Sequence, residues 1–331
     1  MSTKTEIAWT EKTWNPTTGC TRVSAGCDIC YAVPGSRHNE IMGQQKYTSL
    51  TVLNGRGDRH FNGVVKCHEE ALAIPFEWGS AFLIFVNSMS DLFHDKVPDD
   101  FIGRVAKVMQ VTHWHTYQVL TKRPERMQQL LSTKYRWAAE LPNVWWGVSV
   151  ENRSDGLPRL DILRDTPTVQ RFLSIEPLLE DLGEINLDGI GWAIVGGESG
   201  SNAKARPMKK EWVTPILEQC RRANVPFFFK QWGKRRNNPD KLDRTAKENC
   251  RGRKVAWPTA KGGCQLDGKI FHEFPEIHRP AVPRKKVRDV LKRSIGVGEG
   301  IKGKDATRIS ETCGERYAAP AMKGEYCDAK E

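Results

Sequence analysis

At 331 residues, 39% of them hydrophobic, the chain can bury a substantial core, as one large α/β barrel or as two ordinary domains. No apolar run approaches the roughly 18 residues that span a bilayer. That excludes a transmembrane helix, and since the opening Met-Ser-Thr-Lys-Thr-Glu-Ile lacks the apolar centre of a signal peptide, a cytoplasmic protein is expected. The net charge of +11 is uneven: 31 Lys and Arg face 16 Asp and Glu from Lys204 onward, against 20 and 24 before it. That basic C-terminal part suits either a phosphate-rich partner or a solvated tail.

Residues 7–14 are compatible with a short first strand, and directly after them comes the sharpest feature of the chain. Cys20, Cys27 and Cys30 fall within one loop that also holds Gly19 and Gly26. Nine cysteines is an odd number, and only these three are closely spaced, which argues against a disulfide scaffold and for metal or redox use. Three thiolates can hold three irons of a [4Fe–4S] cluster and leave the fourth open for chemistry. Structural zinc is the competing metal and would need a fourth ligand, for which His38, Cys67 or His68 are available. The scattered cysteines Cys67, Cys220, Cys250, Cys264, Cys313 and Cys327 share no ligand spacing and read as small buried hydrophobes or idle thiols.

Six short β-rich apolar runs follow: 82–87 (FLIFVN), 117–121 (YQVLT), 144–150 (VWWGVSV), 169–175 (VQRFLSI), 192–195 (WAIV) and 226–229 (PFFF). Each reads as a strand buried on both faces, as parallel strands are. Their starts lie 23 to 35 residues apart, the spacing left when a helix intervenes. Between them, Pro98-Asp99-Asp100, Arg123-Pro124-Glu125 and the segment 210–223 open helix-periodic stretches, the first with acidic residues where the helix dipole favours them. The expected fold is therefore α/β: a partial or full (β/α) barrel of parallel strands over residues 1–233, with a basic C-terminal extension. That extension divides into an accessory segment, 234–282, with a hairpin-like piece around Gly262-Gly263 and Asp267-Gly268, and a flexible basic tail, 283–331, too poor in apolar residues to offset the entropy of ordering.

In parallel βα folds the chemistry gathers past the carboxyl ends of the strands. Applied strand by strand, this rule selects Ser88 and Asp91, Lys122, Glu151, Glu176, Gly196-Gly197-Glu198 and Lys230. One charged residue at a strand end is usually the start of a loop, but six in register predict a shared polar site, with Glu151, Glu176, Lys122 and Lys230 as the catalytic candidates. The glycine pair allows either a tight turn or close approach of a phosphate or carboxylate. The full dinucleotide fingerprint is absent. His113-Trp114-His115 has the His-x-His form of a metal site, but it precedes a strand and so belongs to the opposite face, where it reads as structural.

The motifs Trp14-Asn15-Pro16, Gly19-Cys20, Gly26-Cys27, Cys30-Tyr31, Asn87-Ser88-Met89-Ser90-Asp91, Lys122-Arg123-Pro124, Gly147-Val148-Ser149-Val150-Glu151, Glu176-Pro177-Leu178, Gly196-Gly197-Glu198-Ser199-Gly200, Ala205-Arg206-Pro207-Met208 and Phe229-Lys230-Gln231-Trp232-Gly233 resemble those of the phage-associated Gp37/Gp68 proteins, over about residues 5–275. More remotely, the organisation resembles the radical S-adenosylmethionine superfamily, whose partial barrels open with a three-cysteine loop after the first strand. That resemblance implies a [4Fe–4S] cluster on Cys20, Cys27 and Cys30, with Ile29 beside it, whose open iron chelates S-adenosylmethionine and cleaves it reductively. The pattern departs in two ways. Six residues separate the first two cysteines where that superfamily usually has three, and its Gly-Gly-Glu stretch ends the second strand rather than standing at 196–198. Asn87 to Asp91 holds that earlier place, which makes Ser88 and Asp91 candidates for the methionine amino group.

The resulting expectation is a radical S-adenosylmethionine enzyme acting on a nucleotide or nucleic acid, served by a reductant such as flavodoxin or ferredoxin, with Trp232 and Trp257 available for stacking. A non-catalytic nucleic-acid-binding phage protein with a structural zinc or iron–sulfur site is the alternative. A metal-independent barrel hydrolase would use Glu151 and Glu176 but leave the cysteines without a role.

Overall fold

Seven parallel strands pair in chain order: β1 (Lys12–Trp14), β2 (Leu83–Val86), β3 (Thr116–Thr121), β4 (Val144–Ser149), β5 (Gln170–Ile175), β6 (Ala193–Gly196) and β7 (Phe227–Gln231). In this computed structural model, which describes residues 5–199, 205–240 and 262–297, the sheet remains open between β1 and β7, so the fold is a half-barrel rather than a closed one. The six apolar runs are all strands, with ends displaced by no more than two residues, and the short stretch before the cysteines supplies the seventh.

Side chains alternate along each strand. Ile84, Val86, Tyr117, Val119, Trp146, Val148, Leu173 and Ile175 pack outward against the helices, in the main core. Phe85, Trp145, Phe172, Ile194 and Phe228 point inward and join Trp9 and Trp192 in a separate aromatic layer that fills the amino-terminal half of the barrel. Gly147 makes that layer possible, because a Cβ there would lie 2.4 Å from the Phe172 ring. Two residues further along the strands the interior turns polar, at Ser149, Ser174, Glu176 and Lys230.

The helices on the outer face are α1 (Ala32–Ile41), α2 (Asp99–Val111), α3 (Pro124–Ser132), α4 (Gly156–Asp165) and α5 (Lys210–Arg222). α2 buries Phe101, Ile102, Val105, Ala106, Val108 and Met109 on one stripe, as its periodicity predicts. α3 begins at Pro124, where a missing N–H is harmless. A two-stranded ribbon, Thr51–Leu53 with Arg59–Phe61, stands outside the barrel beside α1. His115 lies at the amino-terminal end as expected, fully buried against the Pro75 carbonyl at 3.0 Å, and burial pushes it down to about 4.

The C-terminal part corrects the sequence expectation. Residues 271–273 run antiparallel along the free edge of β7, with Phe229 N–H donating to Phe271 O at 2.7 Å and His272 stacked on Phe228. This covers an edge that would otherwise present unpaired backbone groups. The hairpin near Asp267-Gly268 forms between Gln265–Leu266 and Lys269–Ile270. Within the segment 283–331, expected as a flexible tail, residues beyond 297 lie outside the described ones, and Lys285–Ser294 forms a helix, α6. Its buried Arg288 donates from Nε to the Phe76 carbonyl at 2.7 Å and from Nη1 to the Pro283 carbonyl at 2.7 Å, and its Lys292 pairs with Glu77 at 2.9 Å. The guanidinium stem supplies contact that a count of apolar residues overlooks. Trp232 is not exposed for stacking: it is 1% accessible, and its indole N–H donates to Gln265 O at 2.9 Å. Trp257, Cys250, Cys313 and Cys327 lie outside the described residues.

Candidate functional site

The cysteine loop leaves β1 at its carboxyl end and crosses the mouth of the half-barrel. Gly19 sets its path, with φ +87 and a position where a Cβ would lie 2.0 Å from the Val64 carbonyl oxygen, so only glycine fits. At its far end Tyr31 donates from its hydroxyl to Ser88 O at 2.8 Å, which ties the loop to the turn after β2. Between these anchors Cys20, Cys27 and Cys30 line a cavity of about 270 Å³. The same cavity is lined by Ser88, Asp91, Lys122, Glu176, Gly197, Glu198 and Lys230, so most of the strand-end residues selected from the sequence do converge.

Glu151 and Gly196 do not line it. Glu151 is fully buried beneath the loop, held by Arg159 Nη1 at 2.7 Å, Lys122 Nζ at 3.3 Å and the Ser24 hydroxyl. Burial raises such a carboxylate, but Lys122 and Arg159 outweigh it and hold Glu151 below its ordinary range. Gly26 rests directly on it, since a Cβ there would meet Glu151 Oε1 at 2.9 Å. Glu151 is thus the floor that carries the cysteine loop. Both glycines sit in close quarters: a Cβ at Gly196 would lie 2.5 Å from Glu176 Oε1, and one at Gly197 2.5 Å from the Trp232 carbonyl oxygen.

Asp91 is also engaged. It accepts from the Thr121 hydroxyl at 2.7 Å and from the Phe93 and Lys122 N–H groups and Arg123 Nη1, each at 3.0 Å. Arg123 in turn donates from Nη2 to the Thr21 hydroxyl at 2.8 Å, and its Nη1 lies 3.7 Å from Cys20 Sγ. Glu198 is clamped by Arg206 at 2.6 Å, and Arg206 also donates to Ala25 O inside the cysteine loop at 2.8 Å. Three carboxylates from three strand ends therefore brace the loop, Glu151 directly and the other two through arginines. Arg123, Arg159 and Arg206, the partners of these carboxylates, are what strand-end reasoning does not reach. Arg123 and Arg206 sat within noted motifs, whereas nothing in the sequence pairs Arg159 with Glu151.

The groups facing the cavity more directly are Glu176, Lys122, Lys230 and Ser88. Lys230 Nζ stands 2.9 Å from Glu176 Oε1, and the Trp9 indole N–H donates to Glu176 Oε2 at 3.2 Å. The peptide bond Glu176-Pro177 is cis. The side chains of Ser88 and Asn15 hydrogen-bond each other at 3.2 Å. Burial, with Asp91 behind it, pushes the Cys20 thiol up to about 12 against the pull of Arg123, and burial raises Cys30 as well. A soft metal or cluster binding here would therefore have to displace protons from these thiols. Among the described residues, no group of three or more His, Cys, Asp or Glu side chains is placed to hold a single metal ion. Of the further zinc-ligand candidates, His68 is occupied by the Thr18 hydroxyl at 2.9 Å, while His38 lines a second cavity outside the loop.

Fold and site together define a parallel half-barrel with a three-cysteine loop across its mouth. By sequence, the chain belongs to the family described as protein of unknown function (DUF5131), whose profile matches residues 4–275. No curated protein and no solved structure matches it. Among the described residues no helix is long and apolar enough to cross a membrane.

Proposed function

We propose that this chain is a cytoplasmic iron–sulfur enzyme of the radical S-adenosylmethionine type, as its resemblance to the Gp37/Gp68 proteins and to that superfamily implies, and that it modifies a nucleotide or nucleic acid. One observation carries this reading: three cysteines from the loop between β1 and α1 line the same cavity as the polar carboxyl ends of the parallel strands. When bound, the cluster and S-adenosylmethionine would supply one-electron reduction and a carbon-centred radical.

The chain's own residues have separable tasks. Cys20, Cys27 and Cys30 would hold the cluster. Arg123 and Arg206, fixed by Asp91 and Glu198, hold the loop that carries the thiols. Ser88, at the end of β2 and lining the cavity, would offer an acceptor to the methionine amino group. Lys122 and Lys230 bring positive charge to the cavity for a carboxylate, and Glu176, beside Lys230, is the group available to hold or move a proton. The electron would come from a flavodoxin- or ferredoxin-like protein.

Anaerobically purified chain incubated with S-adenosylmethionine and dithionite should release 5′-deoxyadenosine, and Cys20→Ala, Cys27→Ala and Cys30→Ala should each reduce the yield to the level without protein. Undiminished release from the variants, or none from a wild-type chain shown to carry iron and sulfide, would overturn the reading.

A further inference from the structure

The cysteine loop has a second face. Outside the barrel it forms the floor of a cleft of about 1030 Å³, walled on one side by α1 and on the other by the ribbon Thr51–Leu53 with Arg59–Phe61. All three cysteines line this cleft as well as the inner cavity. Its fixed cations are all arginines, with no lysine among the lining residues: Arg22 from the loop, Arg37 from α1, Arg56 and Arg59 from the ribbon, and Arg206 from the segment after β6. Asp28 and Asp58 share the lining, and Glu40 and Glu198 pair Arg37 and Arg206 from beside it.

Arginine rather than lysine is the side chain whose planar fork matches phosphate oxygens two at a time. Arg206 is held by buried Glu198 at 2.6 Å and by the Ala25 carbonyl at 2.8 Å, so the arginines open to phosphate are the other four. Arg22 with Asp28 at 2.6 Å and Arg37 with Glu40 at 2.8 Å are exposed, and exposed pairs exchange partners at little expense. On the ribbon, Arg59 Nη1 donates to the Thr51 hydroxyl at 3.2 Å, and the tip that carries Arg56 is shaped by Asn54 Oδ1, which accepts from Arg56 N–H and Asp58 N–H at 2.9 Å each. Phe61 and His60 place rings in the same cleft, and rings between cations are what unpaired bases stack on. The four open guanidinium groups come from three separate segments, the loop, α1 and the ribbon, so they mark a path rather than a point. A concave path admits a strand more readily than the convex face of a globular partner.

We infer that this outer cleft binds a single-stranded nucleic acid, its phosphates on the arginines and its bases over the cysteine loop. Binding itself does not need the cluster, and only its catalytic consequence rests on the function proposed above. The basic C-terminal region, which charge counting singles out, is then not the principal contact.

The test is fluorescence anisotropy of labelled 12-nucleotide DNA and RNA strands with the full-length chain, at several salt concentrations, with iron measured on each sample. Arg56→Glu combined with Arg59→Glu should weaken binding at least about tenfold and lower the salt slope by about 1.4, two contacts at about 0.7 each. Arg56→Gln with Arg59→Gln should fall between, and Lys285→Glu with Lys286→Glu in α6 should change affinity less than about twofold. Circular dichroism checks that each variant is folded. Unchanged binding in the folded ribbon variants, loss confined to the α6 variant, equal competition by a mononucleotide, or equal binding of an acidic peptide would each overturn the inference. Ribbon-dependent strand binding by a chain without iron would uphold it while removing the enzymatic reading.

Discussion

Glu151→Ala is expected to lower folding stability by about 3–5 kcal/mol in urea denaturation, the usual scale for breaking a buried ion pair on one side. The carboxylate is wholly enclosed, and two cations depend on it, Arg159 at 2.7 Å and Lys122 at 3.3 Å. Removing it leaves Arg159, whose side chain is only 8% exposed, without its charge partner. It also removes the surface on which Gly26 rests, so the cysteine loop should loosen along with the core. Glu151→Gln keeps the volume and an acceptor for Ser24 and should lose roughly half as much. The pH dependence has a definite sign. Because the folded state holds Glu151 below its ordinary range, its contribution is present above the unfolded value and disappears as pH falls through the folded one, so wild type and variant should converge in acid. A loss below about 1 kcal/mol at neutral pH would show that the carboxylate does not carry the loop.

Asp91→Ala is the second large effect. It removes four accepted hydrogen bonds and leaves Arg123, 14% exposed and beside Cys20, with no carboxylate. A stability loss of about 3 kcal/mol follows from one buried charged partner and its bonds. A merely structural Asp91 would stop there. As a positioning residue for Cys20, it should in addition change the visible spectrum of the reconstituted protein and slow the rate at which iron is retained after gel filtration. Asp91→Asn, which keeps one oxygen for the N–H groups, should recover most of the stability and little of the spectrum. Identical spectra in all three proteins would separate Asp91 from the cysteine site.

The strands were legible because each is buried on both faces, so runs such as FLIFVN and VWWGVSV stand out without any help from periodicity. Their carboxyl ends then located Lys122, Glu176, Glu198 and Lys230, since a parallel sheet brings all such ends to one side. What a residue does there was less legible, because it depends on partners far along the chain. Glu151, a catalytic candidate by its place at a strand end, is buried against Arg159 on α4 and Ser24 in the loop, partners its own segment does not reveal. The arginine cleft was invisible for a different reason. Four of its five arginines lie in residues 1–203, where Asp and Glu outnumber Lys and Arg, and a segment's net charge carries no information about which charges fold together. The helix at Lys285–Ser294 escaped because its anchor is an arginine bonding to backbone carbonyls rather than an apolar stripe.

The central claim is that Cys20, Cys27 and Cys30 hold an iron–sulfur cluster at the mouth of the half-barrel. Iron, sulfide and zinc analysis of chain purified without oxygen tests it most directly. The claim predicts about four irons and four sulfides per chain, with a brown thiolate-to-iron absorption that disappears when the three cysteines are replaced by alanine. A colourless chain carrying one zinc and no sulfide, retained at the same loop, would contradict it.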